Sequence, residues 1–518
     1  MAYFYLGGDR DQLFLLPVSM RDWLAEGHLA WFVIDVVAAV DTNAFHARHP
    51  NDGPGRPAYD PDMMLALLFY SYGTGVGSAR RIEAACRTDA AYRVICGGVS
   101  PDHATIARFH VDHQAALEAV FVDVLRLCAA AGLVSLGSIA IDGTKIGADA
   151  ALDTNRGPDP IQAEVDRILA EARATDTTED TQGGLFSVEE LPAELSTRTG
   201  RLARLQAALA QIRAQELTAQ TDAQAHAVKA HAAAAAGQRL HGRKPKDPHA
   251  ALARAHADHA AALAQAQAKA AERSTKEHAA ASAGRKLRGR APNPDTRLTQ
   301  ATAALSAAQA AADTAQPKAY QANTTDPDSR IMKTTNGWIQ GYNAQAAINE
   351  HQIVVGCAVT QQANDVHQYQ PMVSAAQQAL KAAGVTTAIE LVLADAGYWS
   401  QDNATTPGPD RLIATLKDWK QRRAAREMGT TNGPPPQDAS TLEAMEHRLR
   451  TPDGTRAYAM RSHTVEPVFG DLKENRGWRR FRRRGLPAVS SEWALMNVSH
   501  NIAKLFDHHT NPHALEPA

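Results

Sequence analysis

Residues 136–147 read LGSIAIDGTKIG. Ile139, Ala140 and Ile141 make a short aliphatic run that stops at Asp142, with Gly137 and Gly143 as punctuation, so the stretch predicts a buried strand ending in a carboxylate. A carboxylate where a buried strand emerges is costly to desolvate unless it is paired, hydrogen-bonded or bound to a cation. The same construction recurs at 388–398, AIELVLADAGY, where Asp395 follows Leu391, Val392, Leu393 and Ala394. Either aspartate alone reads as the start of a turn, with Gly143 and Gly397 as turn residues. Two of them in parallel contexts point to a shared cation site, because open α/β sheets place ligands at the carboxyl ends of their strands.

Three further runs read as strands: GYNAQAAIN (341–349), HQIVVGCAVT (351–360) and RLIATLK (411–417). Helical patterns follow at 370–384 and over the last quarter of the chain. Five strands mixed with helices predict an α/β core formed by residues 133–154 and 319–510, with 511–518 as a tail. It is split after its first strand by residues 155–318, where Ala, Gln, Arg and His dominate and aromatic residues almost vanish. Long runs of helix formers such as RLARLQAALAQIRAQEL predict an inserted, coiled-coil-like helical subdomain. Two basic, Pro-containing loops interrupt it, GRKPKDP (242–248) and GRKLRGRAPNP (284–294), and its histidines share no metal-binding spacing and read as solvated.

Residues 1–132 form a mixed, all-helical region broken by Gly and Pro. Within it, ARRIEAACRTDAAYRVI, GGVSPD and HATIARFHVDH give helix, turn, helix, with Ser100 or Asp102 available as a cap. That is the outline of a helix-turn-helix, a pattern that ordinary core helices also produce.

Composition limits the rest. The chain has 518 residues and a formal charge of −2, from 54 Lys and Arg against 56 Asp and Glu, so any polyanion site is local. Four cysteines without CxxC spacing support neither zinc nor a disulfide framework and fit a reducing cytosol. No signal peptide and no membrane-length apolar run is visible, which predicts a soluble protein.

The local charge lies at 463–485, HTVEPVFGDLKENRGWRRFRRRG. Val465, Val468, Phe469 and Leu472 make an apolar stripe, while Glu466, Gly470, Lys473 and Gly477 form the adjoining one. Pro467 reads as the first residue of a helix, which leaves Glu466 either facing a ligand or capping free amides. Asp142, Asp395 and Glu466, with no soft donors, suit Mg²⁺ or Mn²⁺ rather than zinc. A pair of such ions about 4 Å apart activates a water or 3′-hydroxyl and stabilises the leaving oxygen of a phosphodiester. Trp478 and Phe481 are interleaved with the cations, and either stack on an unpaired base or close the core. Asp365 and His367 in NDVHQ, like Tyr342, Asn343 and Gln345 in GYNAQ, read as turn residues or as groups supporting the site; the Asp365/His367 pair could also bind metal, but no third ligand stands at a suitable spacing.

IDGTK, TDPDSRIMKTTNGWIQGYNAQAAINEHQIVVGCAVTQQANDVHQ, LADAGY and VEPVFGDLKENRGWRRFRRRG, in this order, resemble the DDE transposases of bacterial insertion sequences, in particular the eleven-eighty-two group. The likeness extends to the N-terminal helices and to the Ala-rich insertion. It implies an RNase H-like core in which Asp142, Asp395 and Glu466 bind the metal pair and catalyse. It also implies a Tyr, Arg, Glu, Lys signature on Tyr458, Arg461, Glu466 and Lys473, although four residues separate Arg461 from Glu466 where three are usual. Lys473 and the run Arg476, Arg479, Arg480, Arg482, Arg483 and Arg484 then hold DNA phosphates, as Tyr458 and Arg461 would. The implied partners are terminal inverted repeats, target DNA and a second copy of the chain, in a bacterial cytoplasm at the nucleoid. A metal-dependent nuclease on the same core and a domesticated, non-catalytic DNA-binding protein are the competing readings.

Overall fold

The computed structural model describes residues 19–47, 58–179, 197–236, 247–284, 296–315, 319–416 and 429–511, with residues 238 and 245. The expectations placed on residues 1–18, on most of the two basic loops, on Lys417 and on the tail beyond Asn511 lie outside them. The chain divides into two compact units, one of residues 1–154 with 325–518 and one of residues 155–324.

The first unit opens with helices α1 (Leu29–Ala39), α2 (Asn43–His46), α3 (Pro61–Gly73), α4 (Ala79–Thr88), α5 (Ala90–Ile95), α6 (His103–Asp112) and α7 (Gln114–Ala130). The helix expected over 79–95 is two helices. Asp89 breaks it, adopting an extended backbone and accepting the Ala91 amide at 2.8 Å as the cap of α5. Gly97 and Gly98, both at positive φ, turn the chain, and Asp102 caps α6 through the Thr105 amide at 2.8 Å.

A mixed sheet follows, made by β1 (Ser138–Gly147), β4 (Arg330–Thr334), β5 (Gly337–Asn349), β6 (Val354–Thr360), β7 (Leu391–Ala394) and β8 (Asp410–Ile413). β2 (Asn155–Arg156) and β3 (Ala322–Asn323) pair separately in the second unit. β1 is central, antiparallel to β5 and parallel to β7, and β8 extends the parallel side. β6 lines the second half of β5, and β4 pairs with its first half. The sheet therefore has six strands where five were expected. The strand missed is RIMKT, in which Met332 alone is buried; the Thr335–Asn336 turn and Gly337 at φ 119° fold it back on β5.

Helices α12 (Tyr369–Ala382), α13 (Gln401–Thr405), α14 (Thr441–Arg450), α15 (Pro452–Gly470) and α16 (Leu486–Thr510) complete the unit. α16 packs against α3, α7 and β6, and one hydrophobic core runs from the N-terminal helices through the sheet. Such a helix is buried on almost every side, so its polar groups need partners. Asn501 gives both, accepting the Val354 amide and donating to the Val354 carbonyl, each at 2.9 Å, and Trp493 donates its indole N–H to the Gln345 carbonyl at 2.9 Å.

The second unit stacks α8 (Pro158–Glu179), α9 (Arg198–Ala235), α10 (Pro248–Ser282) and α11 (Thr296–Asp313) in sequential pairs. Its core is small, with Ile161, Val165, Ile168, Leu205, Ala208 and Ile212 between α8 and α9.

Candidate active site and nucleic-acid interface

Parallel pairing of β1 with β7 sets Ile141 beside Ala394. The next residues, Asp142 and Asp395, therefore leave the paired region side by side. Two details differ from the sequence reading. β1 does not end at Asp142 but runs on to Gly147 against β5; what ends there is the pairing with β7. Gly143 is consequently a strand residue, and its missing side chain leaves room for the Gln345 amide, Asp365 Oδ1 and Asn343 Oδ1. Gly397 does serve a turn, donating its amide to Asp395 Oδ1 at 2.7 Å.

Asp142 Oδ1 accepts the Gly143 amide at 2.8 Å, and Oδ2 pairs with the Arg461 guanidinium at 2.7 Å. Burial pushes its carboxyl up to about 6; Arg461 opposes this, while Asp395 and Asp365 add to it. Asp365 Oδ1 accepts from Asn343 at 2.7 Å and Gln345 at 2.8 Å, with Lys145 Nζ at 3.7 Å. Tyr398 donates its hydroxyl to Gln345 Oε1, and burial beside Asp142, Asp365 and Asp395 holds the phenol far above its ordinary value. Sequence reasoning gave Asp365 a supporting place or a metal-binding one beside His367, and overlooked Lys145 and Tyr398; the contacts of Asp365 are to Asn343, Gln345 and Lys145. The cue was the polar pair Asn343 and Gln345 on a strand buried from residue 340 to 349.

α15 supplies the remaining groups. Tyr458 donates to the Ala394 carbonyl at 3.3 Å, next to Asp395, and Arg461 reaches Asp142. Burial lowers the Arg461 pKa, but Asp142, Tyr458, Asp395 and Glu466 outweigh it. Glu466 is exposed and inside the helix rather than at its start. Pro467 is also interior, contrary to its reading as a first-turn proline. Proline cannot donate to the carbonyl four residues back, that of His463. The Gln352 side-chain amide donates to it instead, at 2.9 Å. After Gly470 the helix widens into a π turn, Asp471–Asn475, and Lys473 Nζ reaches the Lys145 carbonyl at 3.4 Å. Burial and the neighbouring Arg479 lower the lysine's pKa, and Asp142 acts against them.

Among the described residues, the one group of three metal-ligating side chains with all ligand atoms within 4.8 Å is His46, Asp60 and Asp62. It belongs to the start of α3, where Asp60 accepts the Asp62 amide at 3.0 Å. Asp142, Asp395 and Glu466 are not drawn together that closely, and Arg461 is the cation standing among them. Their donor set still fits a hard divalent ion: carboxylate oxygens only, with Asp142 held where its own charge is poorly solvated.

The basic run splits into inward and outward parts. Gly147, at the end of β1, is held by backbone hydrogen bonds to two residues of the run, donating to the Arg479 carbonyl at 3.0 Å and accepting the Phe481 amide at 2.8 Å. Arg476 turns in to Asp471 at 2.8 Å, and the Asp471 carboxyl lies down at about 2 because His500 and Arg476 outweigh its burial. Arg483 donates to the His110 carbonyl at 3.2 Å, and Arg484 pairs with Asp149 at 2.5 Å. Arg479 is exposed and paired with Glu474, whereas Arg480 and Arg482 are exposed without an ion pair among the described residues. Trp478 and Phe481 are 2% and 0% exposed, the first stacked on Tyr72 at 4.7 Å and the second edge-on to Tyr342 at 6.0 Å. The base-stacking role is thereby corrected: both rings close the core, and the arginines between them point away from it.

Two family models match the chain. Residues 18–112 match a Transposase domain (DUF772), and residues 405–506 match a Transposase DDE domain. Glu466 falls inside the second match, while Asp142 and Asp395 lie outside both. No curated protein and no solved structure matches. The two matches support a DDE transposase of insertion-sequence type, an enzyme that acts on DNA. No helix among the described residues is long and apolar enough to cross a membrane.

Proposed function

We propose that the chain is a transposase that cleaves the ends of its insertion sequence and joins the freed 3′-hydroxyl to target DNA by in-line phosphoryl transfer. The observation that carries this reading is the register of β1 against β7, which sets Asp142 and Asp395 side by side where that pairing ends, although 253 positions (395 − 142) separate them. The order β6-β5-β1-β7-β8, with the first three antiparallel and the last two parallel to β1, supports an RNase H-like core.

Asp142, Asp395 and, from α15, Glu466 would hold Mg²⁺ or Mn²⁺, a pair of which activates the attacking hydroxyl and stabilises the leaving oxygen. Arg461 pairs with Asp142 and would orient it for that task. Arg479, Arg480 and Arg482 face solvent and suit phosphates, and Lys473 feels the charges of both Arg479 and Asp142. Residues 1–132, with α4 to α6, read the element ends, and 155–318 is a separate helical subdomain. A homodimer follows from the need to hold two ends together.

Asp395→Ala is the test. Mg²⁺-dependent cleavage of end DNA should be abolished while DNA affinity is largely kept, and surviving cleavage would sink the assignment. Strand transfer from pre-cut 3′-ends separates a transposase from a nuclease on the same core.

A further inference from the structure

We infer that Asp365 is a fourth oxygen ligand of the proposed cation site, with its Oδ2 directed to the same small volume as Asp395; this rests on the reading of Asp142 and Asp395 as cation ligands. Asp365 comes from the loop between β6 and α12, outside the three strands and helices on which the other carboxylates were sought. Its Oδ1 is fixed by Asn343 Nδ2 at 2.7 Å and Gln345 Nε2 at 2.8 Å. Both donors come from β5, which is locked to β1 over residues 341–349, so the carboxylate is held at a set position relative to Asp142. Oδ2 carries no hydrogen bond among the described residues.

Two glycines keep the space around it clear. A Cβ on Gly397 would stand 2.8 Å from Asp395 Oδ1 and 3.3 Å from Asp365 Oδ2, so two carboxylates border one volume that any side chain there would fill. A Cβ on Gly143 would stand 2.6 Å from Asp365 Oδ1 and 2.9 Å from Asn343 Oδ1. The Asn343 oxygen is a second, independent sign of a missing ligand. Asn343 is 0% exposed, its amide nitrogen is used on Asp365 and on the Gln362 carbonyl, and its Oδ1 has no partner. A buried acceptor left without a partner costs about 1–3 kcal/mol, and a hydrated cation beside it supplies the donor.

Like charges bordering one volume call for a cation between them. Lys145 Nζ, at 3.7 Å from Asp365 Oδ1, balances them from beyond hydrogen-bonding distance, so an entering divalent ion displaces it without breaking a bond. Carboxylate oxygens on the ion, with the Asn343 oxygen accepting from its bound water, are the chemistry of Mg²⁺ and Mn²⁺.

The test uses the full chain without DNA, titrated with Mn²⁺ and followed by the electron-spin signal of the free ion. Asp395→Asn and Asp365→Asn should each weaken Mn²⁺ uptake by about 10- to 100-fold. Asparagine at 365 keeps an oxygen for both amide donors, and near-ultraviolet dichroism and melting temperature verify that it folds. If Asp365→Asn binds Mn²⁺ like the parent while Asp395→Asn does not, Asp365 is no ligand and the Asp142 and Asp395 reading stands. If neither substitution changes uptake, that underlying reading is overturned. A second measurement needs no substitution: Fe²⁺ with ascorbate and peroxide should cut the parent chain beside residue 365 as well as beside 142 and 395. Cuts beside 142 and 395 alone would overturn the inference.

Discussion

Glu492 is a buried carboxylate that the proposed chemistry does not use. It lies on α16 at 0% exposure and accepts the Arg482 and Arg483 amides at 2.9 and 3.1 Å and the Tyr72 hydroxyl at 3.2 Å. Burial lifts its carboxyl up to about 7, against the pull of those donors. A folded pKa above the unfolded one means that the fold favours the protonated form. Stability is then fullest below the ordinary carboxyl range, falls as pH rises towards 7, and stays low above it. Glu492→Gln should remove that slope, so the parent's unfolding free energy relative to the variant falls by at most about 3 kcal/mol between pH 4.5 and 8. Urea melts of both proteins across that range measure it. At this same scale the sequence was a partial guide. Asp142 and Asp395 could be singled out because an apolar run ending in a carboxylate is a local signal, and the register of β1 with β7 sets them side by side. Asp365 was noticed only beside His367, because its contacts to Asn343 and Gln345 come from another strand. Trp478 and Phe481 were ambiguous for a similar reason, since Tyr72 and Tyr342, which bury them, are remote in the chain.

Elements show where tertiary contacts override local preference. Pro467 looks like a helix start, yet α15 passes through it because Gln352, at φ 62°, turns its amide to the freed His463 carbonyl and its Oε1 to Lys504 Nζ at 2.7 Å. Gln352→Ala keeps the strained backbone and loses both bonds, so it should cost about 1–3 kcal/mol in thermal or urea unfolding. β4 escaped notice because one buried residue in five carries no alternation signal, whereas β1, β5, β6, β7 and β8 were visible as aliphatic runs. The basic run divides by function along its length. Arg480→Ala with Arg482→Ala should lower the slope of log affinity for duplex DNA against log salt by about 2. Arg476→Ala should leave that slope unchanged and lower the melting temperature, since it strips Asp471 of a buried partner.

At the scale of the whole molecule, composition pointed to a helical insertion at 155–318, because Ala-rich helices poor in aromatics cannot share a large apolar core, and the second compact unit spans residues 155–324. The packing of the N-terminal helices into one core with the sheet was not. It depends on α16, whose buried faces touch elements from both. Asn155 pairs with Asn323 and Arg156 with Ala322, so the inserted chain leaves and returns at adjacent points. Replacing residues 155–324 by a short Gly/Ser linker should therefore leave a chain that melts in one cooperative transition, as calorimetry would record. Loss of that transition would mean that the first unit depends on the second.

The Tyr72 to Glu492 hydrogen bond joins residues 420 apart in the chain. A ribosome adding about 5–20 residues per second delivers α16 some 20–80 s after α3, and until then the apolar flank of α3 has no permanent cover. Birth of this protein is thus a waiting problem: the nascent N-terminal helices should need a chaperone's shelter, and a truncated chain ending before α16 should be captured by one rather than fold.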